Sequence, residues 1–391
     1  NALDYGVVGD GVTDDTDSLQ AAIDAAAGQR LWVPGGRYII SSQLTVASNT
    51  EIIMAGNAII DISYWAPAVS LGGSRAFSIS GSSGTSTAVG ADIALGAYDI
   101  TVTSTTGFSD DDMVEITSTE PLLPGYTNRY KGWVTIIDSV LSSTVIRIAN
   151  ASPFSIDAVG GSYAATLKRF NTVSNVTIMG GKIVGGGLNK GHTGIYTAVF
   201  QNINIEGVII DSCEAAGVWL GTGIQGSVKK CRILNVTSPE YLATLGYGVL
   251  IGSGFGAVIE NNYFERCRHS VAAGATPTPF NAIIKDNYSY NCGIGTNDYD
   301  CHAATIGFVF ENNTTHAGPN GRGGFVIRSV DAVLKGNHVY GGSIGITNAD
   351  GITATTFPLG RITLSDNVIK DNAAGYGIDI SGGGISSISI S

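Results

Sequence analysis

The stretch Ala257-Val258-Ile259-Glu260-Asn261-Asn262 returns 25 residues later as Ala282-Ile283-Ile284-Lys285-Asp286-Asn287. Further copies end at Asn313, Asn337 and Asn367, and weaker copies end at Gly181, Val208 and Cys231. The step between copies therefore varies from 23 to 31 residues. Each copy combines alternating apolar residues with a turn, and no helical pattern separates one copy from the next. This periodicity predicts a solenoid of β-coils, in which each strand pairs with its equivalent in the next coil, ~4.8 Å along the axis.

The last residue of every strong copy is asparagine, at positions 262, 287, 313, 337 and 367. Asparagine tolerates left-handed turn geometry, and its amide can bond both to the backbone and to the asparagine of the next coil. We therefore expect these five residues to stack as a structural ladder along one turn of the solenoid.

The composition limits the classes of function that the chain can have. Of 391 residues, 54 are glycine and only 14% are charged, which suits many tight turns around a stacked core. The net charge of −11 argues against nucleic acid as a partner, because phosphates require a basic surface. No apolar run approaches the ~18–20 residues of a membrane span. The five cysteines, an odd number, imply no disulfide framework.

Two segments within the first 170 residues do not follow the coil repeat. Asp14-Asp15-Thr16 precedes an apolar stripe at helical spacing, Leu19 to Ala26, and Gly28 follows it, which predicts a helix that covers the open end of the solenoid. Residues 81–170 are rich in Ser and Thr and break the repeat. We predict a cap and first coils over 1–80, a β-rich insertion over 81–170 and the main coils over 171–391.

The opening of the chain resembles that of a known superfamily. Asp4-Tyr5-Gly6-Val7-Val8-Gly9-Asp10-Gly11-Val12-Thr13-Asp14-Asp15-Thr16, Leu19-Gln20-Ala21-Ala22-Ile23 and Val33-Pro34-Gly35-Gly36-Arg37-Tyr38 are similar to the start of pectate-lyase-like proteins. These include polysaccharide lyases, epimerases and phage tail-spike depolymerases. The resemblance implies an all-β, right-handed parallel β-helix with a capping helix and an inserted small β-domain. It also implies a polysaccharide substrate, an extracellular setting (secreted or virion-associated) and a homotrimer as one assembly.

Strong polar groups interrupt an otherwise bland surface in three successive coils. Arg268-His269 stands where other coils have Tyr-Gly or Gly-Gly, Asp300-Cys301-His302 occupies the corresponding place in the next coil, and Arg328 follows in the third. We expect His269 to point outward, with His302 and Arg328 one and two coils away. Three aromatic residues belong to the same strands and are candidates for sugar binding: Trp219, Tyr196 and Tyr247.

These residue types suit elimination across a uronic acid. The reaction needs the sugar carboxylate neutralised, a base for the C5 proton and an acid for the leaving oxygen. Arginine holds carboxylates with a fixed charge and a forked geometry, and histidine has the pKa nearest to neutral. We predict His269 or His302 as the base, Asp300 as its orienting group, and Arg268 and Arg328 as clamps.

Two other classes of function remain open. A tail-spike-type hydrolase would use two carboxylates ~5–9.5 Å apart, with Asp298, Asp300, Asp350 and Asp379 as candidates. A glycan-binding β-helix would need no catalytic group. A metal on His269, Asp300 and His302 is disfavoured because their spacing matches no ligand motif. We predict no cofactor, and calcium has no supporting motif.

Overall fold

Two parallel sheets wind around one core and form most of the chain. The computed structural model describes residues 1–65, 74–122, 129–159, 163–188, 190–237, 246–275, 277–294, 296–302, 305–319, 323–347, 359–372, 377–381 and 385–391. In this part of the chain the pairings within both sheets run parallel, coil to coil. The predicted fold class, a right-handed parallel β-helix with an inserted β-domain, is confirmed.

The first parallel sheet, called the long sheet, has 21 strands among the described residues. Its strands are Asp10–Asp14, Arg30–Val33, Gly36–Ile39, Glu51–Asp61, Val173–Val184, Phe200–Glu206, Ile209–Asp211, Gly223–Lys229, Arg232–Leu234, Gly254–Phe255, Val258–Glu260, Tyr263–Glu265, Ile283–Lys285, Tyr288–Tyr290, Val309–Glu311, Thr314–His316, Val333–Lys335, His338–Tyr340, Leu359–Ser365, Val368–Lys370 and Ile385–Ile390.

The second parallel sheet, called the site sheet, has ten described strands. They are Leu44–Thr45, Ser74–Ser80, His192–Ala198, Ala216–Leu220, Tyr247–Ile251, His269–Ala273, Tyr299–Cys301, Gly324–Ile327, Ser343–Thr347 and Ile378–Ser381. Its core-facing residues meet those of the long sheet. The Tyr299 and Phe325 rings stack with centroids 4.7 Å apart, and the Phe310 ring packs edge-on against Phe325. Equivalent residues of successive coils face the same core. An apolar residue at the same position of each coil therefore extends the core along the whole solenoid.

The repeated asparagines lie inside the coil, where the amides form the predicted ladder. Asn313 Nδ2 donates to Asn337 Oδ1 at 3.0 Å and to the Ile284 carbonyl at 2.8 Å. Asn313 Oδ1 in turn accepts from the Nδ2 and backbone N–H of Asn287, at 2.9 and 3.2 Å. The left-handed residue of this turn is the preceding one, for example Asn312 with φ 54°. The ladder asparagines therefore serve as buried hydrogen-bonding rungs, and the turn geometry that we assigned to them belongs to their neighbours.

A single α-helix among the described residues covers the first coils. It spans Thr16–Ala25, and Leu19, Ala22 and Ile23 on one of its faces join the main core. The Asp15 carboxylate, at the start of the helix, accepts hydrogen bonds from the backbone N–H groups of Val8 and Gly9 at 2.6 and 3.0 Å. The acidic run thus ties the opening turn to the helix. A short 3₁₀ helix, Ala2–Tyr5, precedes it.

A separate antiparallel sheet lies between the first and the main coils. Its six described strands are Ser82–Ala88, Asp99–Thr101, Met113–Pro121, Tyr130–Val140, Val145–Ile148 and Ala165–Asn171. Its own apolar core extends to Phe280 of the main coils, so the insertion packs against the solenoid. We retain the division at 80/81 and 170/171 as a proposal for the domain boundaries.

Two further features bear on the chain's chemistry. All five cysteines are buried and unpaired by disulfides. No helix in the described part of the chain has both the length and the apolar character needed to cross a membrane.

Candidate active site

One row of outward-facing positions on the site sheet carries three of the predicted residues, Tyr196, Trp219 and Asp300. The strand register aligns Tyr196, Trp219, Leu250, Ala272 and Asp300 in successive coils. At ~4.8 Å per coil, Asp300 lies about 14 Å from Trp219 along the axis. The row therefore places an aromatic region and a charged region on one face, separated by small or apolar side chains.

The Asp300 carboxylate is the centre of the charged region. His302 Nε2 lies 3.4 Å from Asp300 Oδ2, His269 Nε2 lies 3.8 Å from the same oxygen, and the Arg328 guanidinium forms an ion pair with Asp300 Oδ1. Asp300 is only 6% exposed. Burial alone would raise its pKa, but the hydrogen bond from His302 and the charge of Arg328 outweigh that effect and lower it. Asp300 is thus a permanent anion that holds three groups from three consecutive coils, called here the Asp300 cluster.

The expectation that His269 is an accessible outward group is corrected by the structure. Its side chain is 1% exposed, stacked against the Tyr247 ring at 5.7 Å on one side and facing the Asp300 coil on the other. Burial lowers the pKa of His269 to about 4. Its Nδ1 lies 2.7 Å from the Asn297 carbonyl, which can only accept, so Nδ1 carries the hydrogen. His269 is therefore a neutral ring within the cluster, out of reach of a polymer on the surface.

His302 is the histidine that meets solvent, with 31% of its side chain exposed. It follows the strand Tyr299–Cys301, and its backbone N–H donates to Ala273 at 2.8 Å, which places it beside Gly274 of the preceding coil. A Cβ on Gly274 would come within 2.5 Å of the His302 Cβ, and Gly274 has φ 152°. Gly274 is needed for this close approach, because any other residue would push the imidazole away from its place.

The two arginines predicted as clamps differ in their surroundings. Arg328 is 15% exposed and faces Asp300. Arg268 is half-buried, and its guanidinium lies 5.7 Å from the centroid of the Tyr247 ring. Burial is the main cause that lowers the pKa of His269, and the positive charge of Arg268 acts in the same direction. Arg268 and His269 thus both lie against the Tyr247 ring, at one side of the Asp300 cluster.

The aromatic region of the row is formed by Tyr196 and Trp219, both partly exposed. Their rings meet edge to face with centroids 5.0 Å apart. An unpredicted residue completes this region, because the Arg75 guanidinium lies 3.8 Å above the Tyr196 ring. Arg75 belongs to the strand Ser74–Ser80, which precedes the insertion. Aligning the apolar alternation of this strand with that of Gly194-Ile195 would have shown that Arg75 belongs to the same sheet. The insertion between the two strands makes their separation in sequence much longer than the repeat.

The carboxylates considered for a hydrolase do not gather around Asp300 in the described residues. Asp298 is fully buried, and its Oδ2 accepts from the Gly324 N–H at 3.2 Å. Asp379 is exposed on the same row, but Val326 and Gly345 separate it from Asp300, so it is three coils or about 14 Å away. Asp350 lies outside the described residues. A separation of ~5–9.5 Å is thus not met by Asp379.

Burial raises the pKa of Asp298 to about 7, which makes a testable prediction for stability. Below about pH 4 the carboxyl is protonated in folded and unfolded chains alike. Between about pH 4 and 7 the folded state binds more protons, so stability falls as the pH rises. The side chain of Asp298→Asn never ionises, so the free energy of unfolding of this variant should not fall in this way. Its free energy of unfolding relative to that of the wild type should therefore be ~2–4 kcal/mol higher at pH 8 than at pH 4.5. Thermal unfolding at both pH values measures this difference.

The matched control for this substitution is Asp379→Asn, because Asp379 is exposed. Its effect on the melting temperature should be the same at both pH values. A pH-independent effect of Asp298→Asn would contradict the buried, protonated state of Asp298.

Metal binding finds no support in the described residues. No group of three or more His, Cys, Asp or Glu side chains in that part of the chain is arranged to hold a metal ion. The Asp300 cluster instead places an arginine against the carboxylate, which supplies the positive charge there.

Comparison with known proteins agrees with this architecture. Residues 1–183 match the family described as "Rhamnogalacturonase A/epimerase, pectate lyase-like", and the resemblance to the pectate-lyase-like superfamily is confirmed. The tailspike protein gp49 of Pseudomonas phage LKA1 superposes with a TM-score of 0.73 and 17% identity, over 100% of this chain and 79% of that protein. At this identity, the likeness to the tailspike concerns the fold.

Sequence relatives match over short segments. The mannuronan C5-epimerase AlgE2 of Azotobacter vinelandii is 44% identical over 66 residues, which cover 14% of this chain and 7% of the epimerase. Depolymerase 1 of Klebsiella phage K5-2, described as capsule K30/K69-specific, is 42% identical over 52 residues, or 13% of this chain and 7% of the depolymerase. The chain thus matches less than a tenth of the length of either curated relative.

Proposed function

We propose that the protein is a depolymerase of an acidic extracellular or capsular polysaccharide, an endo-acting lyase that cleaves by β-elimination at uronic acid residues. The observation that carries this proposal is the Asp300 cluster, where a solvent-accessible His302 rests against a permanently ionised, arginine-paired carboxylate. Relatives whose names specify mannuronan and a bacterial capsule support a polysaccharide substrate. Such polymers lie outside cells, so we propose a secreted or virion-associated setting.

We assign the proton transfer to His302. With Nε2–H directed at Asp300, Nδ1 is the nitrogen that can accept a proton. His302 takes the C5 proton, the C4–O bond breaks, and the electron pair forms the C4=C5 double bond. The imidazolium, stabilised by Asp300, then returns a proton to the leaving oxygen on the same side of the sugar. Arg268 and Arg328 reduce the negative charge of the uronate carboxylate and so acidify C5.

The supporting residues fix this geometry. His269, neutral and buried, fills the space behind Asp300, and its Nδ1–H bond to Asn297 holds the ring in one orientation. Tyr247 covers that ring from the preceding coil. Of the two histidines that the sequence offered as the base, the proposal therefore selects His302.

Digestion of a panel of polysaccharides tests the proposed function. The panel holds polymannuronate, polygalacturonate, hyaluronan, acidic capsular polysaccharides and neutral dextran. Ultraviolet absorbance from the new conjugated double bond supports the lyase. New reducing ends without that absorbance would show hydrolysis, and binding without either product would show a glycan-binding β-helix.

We expect His302→Gln to lower kcat by about 10²–10⁴, because the base is lost while the shape of the site is kept. His316→Gln is the matched control, since His316 is a half-buried histidine of the long sheet that stacks on Tyr340 at 4.3 Å. Steady-state kinetics on the cleaved polymer measure both variants. Equal activity in His302→Gln and the wild type would remove His302 from the mechanism.

A further inference from the structure

No acidic side chain of the described residues forms an ion pair with Arg75. No ion pair or hydrogen bond of the described residues includes its guanidinium, and its Nε is buried without a hydrogen-bond partner in that part of the chain. Its guanidinium lies over the Tyr196 ring, with the Cζ atom 3.8 Å from the ring centroid. Residues 66–73, which precede its strand, include no acidic residue. By contrast, Arg37 and Arg147 lie beside Asp61 and Asp99.

A partly buried guanidinium without a counter-ion is costly, because desolvation weakens its hydration and no carboxylate compensates. Such a group is stabilised when an external anion enters. Because a guanidinium offers a planar fork of N–H donors, a carboxylate or a sulfate fits it best. The aromatic pair Tyr196 and Trp219 lies beside it, and aromatic rings pack against the apolar faces of sugars.

The register gives the distance between this group and the Asp300 cluster. Arg75 aligns with Thr193, Ala216, Tyr247 and His269 in successive coils. Asp300 and His302 belong to the coil after that of His269, so five coil steps at ~4.8 Å each give about 24 Å along the axis. One coil step is comparable to the length of one sugar residue in an extended polymer, so a chain lying on this face would span the interval with about five sugars.

We propose that Arg75, Tyr196 and Trp219 form a remote subsite that binds an anionic sugar residue of the polymer about five sugars away from the bond at His302. The inference rests on the proposed function for the identity of the polymer, but not for the binding itself. The anionic group is a uronate carboxylate or a sugar sulfate. The remote subsite holds long substrates in register and leaves short ones unaffected.

Affinity electrophoresis tests this proposal without requiring cleavage. The His302→Gln protein is run through gels that contain each acidic polysaccharide of the panel, dextran sulfate or neutral dextran. Adding Arg75→Met should weaken retardation by the acidic polymer about tenfold, the loss of one charge-assisted contact. Arg75→Lys should keep part of the binding. The matched control is Arg232→Met, because Arg232 also lies over a tyrosine, 5.5 Å from the Tyr263 centroid, but on the long sheet.

The outcomes separate the two proposals. Arg75-dependent retardation by a polyuronate identifies a carboxylate site, and retardation by dextran sulfate alone identifies a sulfate site. Binding by Arg75→Met equal to that of the parent, an equal loss in Arg232→Met, or no retardation in any acidic gel overturns the remote subsite. If the His302→Gln protein shows Arg75-dependent binding but the wild type cleaves no polymer of the panel, the remote subsite is upheld and the lyase is rejected. Circular dichroism melting curves confirm that Arg75→Met is folded.

Discussion

Asp300→Asn should lower kcat at least a thousandfold while the β-helix stays folded. The substitution keeps the shape of the side chain but removes the anion that faces His302 Nε2 at 3.4 Å and pairs with Arg328. Without the anion, the imidazolium formed during proton abstraction is no longer stabilised, and the ring is no longer held in the tautomer that leaves Nδ1 unprotonated. Arg328 also loses its ion pair with Asp300, and its charge then opposes the protonation of the histidine. Single-turnover rates on the cleaved polymer measure the effect.

Asp379→Asn is the control for this experiment, because Asp379 lies on the same outward row, three coils further on. It should retain wild-type kcat. Asp300→Glu keeps the charge and shifts it by one methylene, so it should recover part of the lost rate. If Asp300→Asn kept more than a tenth of the activity, the cluster could not be the catalytic centre.

Asn313→Ala should reduce the free energy of unfolding by ~3–5 kcal/mol, without altering the residues of the site. The asparagine is fully buried, and its amide makes four hydrogen bonds with the rungs and carbonyl around it. Alanine leaves the backbone N–H and amide of Asn287 and the Ile284 carbonyl without these partners, in a core that water does not reach. Urea unfolding of the whole chain, followed by circular dichroism, measures the loss.

Asn202→Gly serves as the matched control. Asn202 is exposed, donates to Asn175 Oδ1 at 2.8 Å and has φ 56°, a geometry that glycine adopts without strain. Its substitution should change the free energy of unfolding by less than ~1 kcal/mol. Similar losses for both variants would mean that the buried ladder contributes no more than a surface contact.

The fold could be predicted because its evidence is repeated. Each coil that ends in a ladder residue such as Asn287 adds an independent copy of the same pattern, and irregular steps do not obscure it. The helix over Thr16–Ala25 was equally readable, since its apolar stripe and its flanking turns agree. The position of the left-handed turn residue was missed by one, because Asn261-Asn262 and Asn312-Asn313 offer two asparagines and only three-dimensional packing distinguishes them.

The site was predicted as a set of residues but not as an environment. Equivalent coil positions placed His302, Asp300 and Arg328 near one another, as their spacing indicated. The burial of His269 depends on what covers it from both neighbouring coils, and at ~4.8 Å spacing the Tyr247 ring on one side leaves no open face. Arg75 was missed because the insertion separates its strand from the coils that it aligns with.

The coils are stacked at a constant spacing, so distances along the solenoid axis are whole multiples of one coil step. His269, Asp300 and Arg328 come from consecutive coils, so the cluster exists only where those three coils are stacked in register. The interval from Arg75 to the cluster, in contrast, consists of whole coils that could be gained or lost without disturbing either end. Each coil gained or lost would change the distance between Arg75 and the cluster by one coil spacing of ~4.8 Å. Proteins of this architecture could therefore change the repeat length of the polymer they recognise in discrete steps, by adding or removing a coil rather than by altering a pocket.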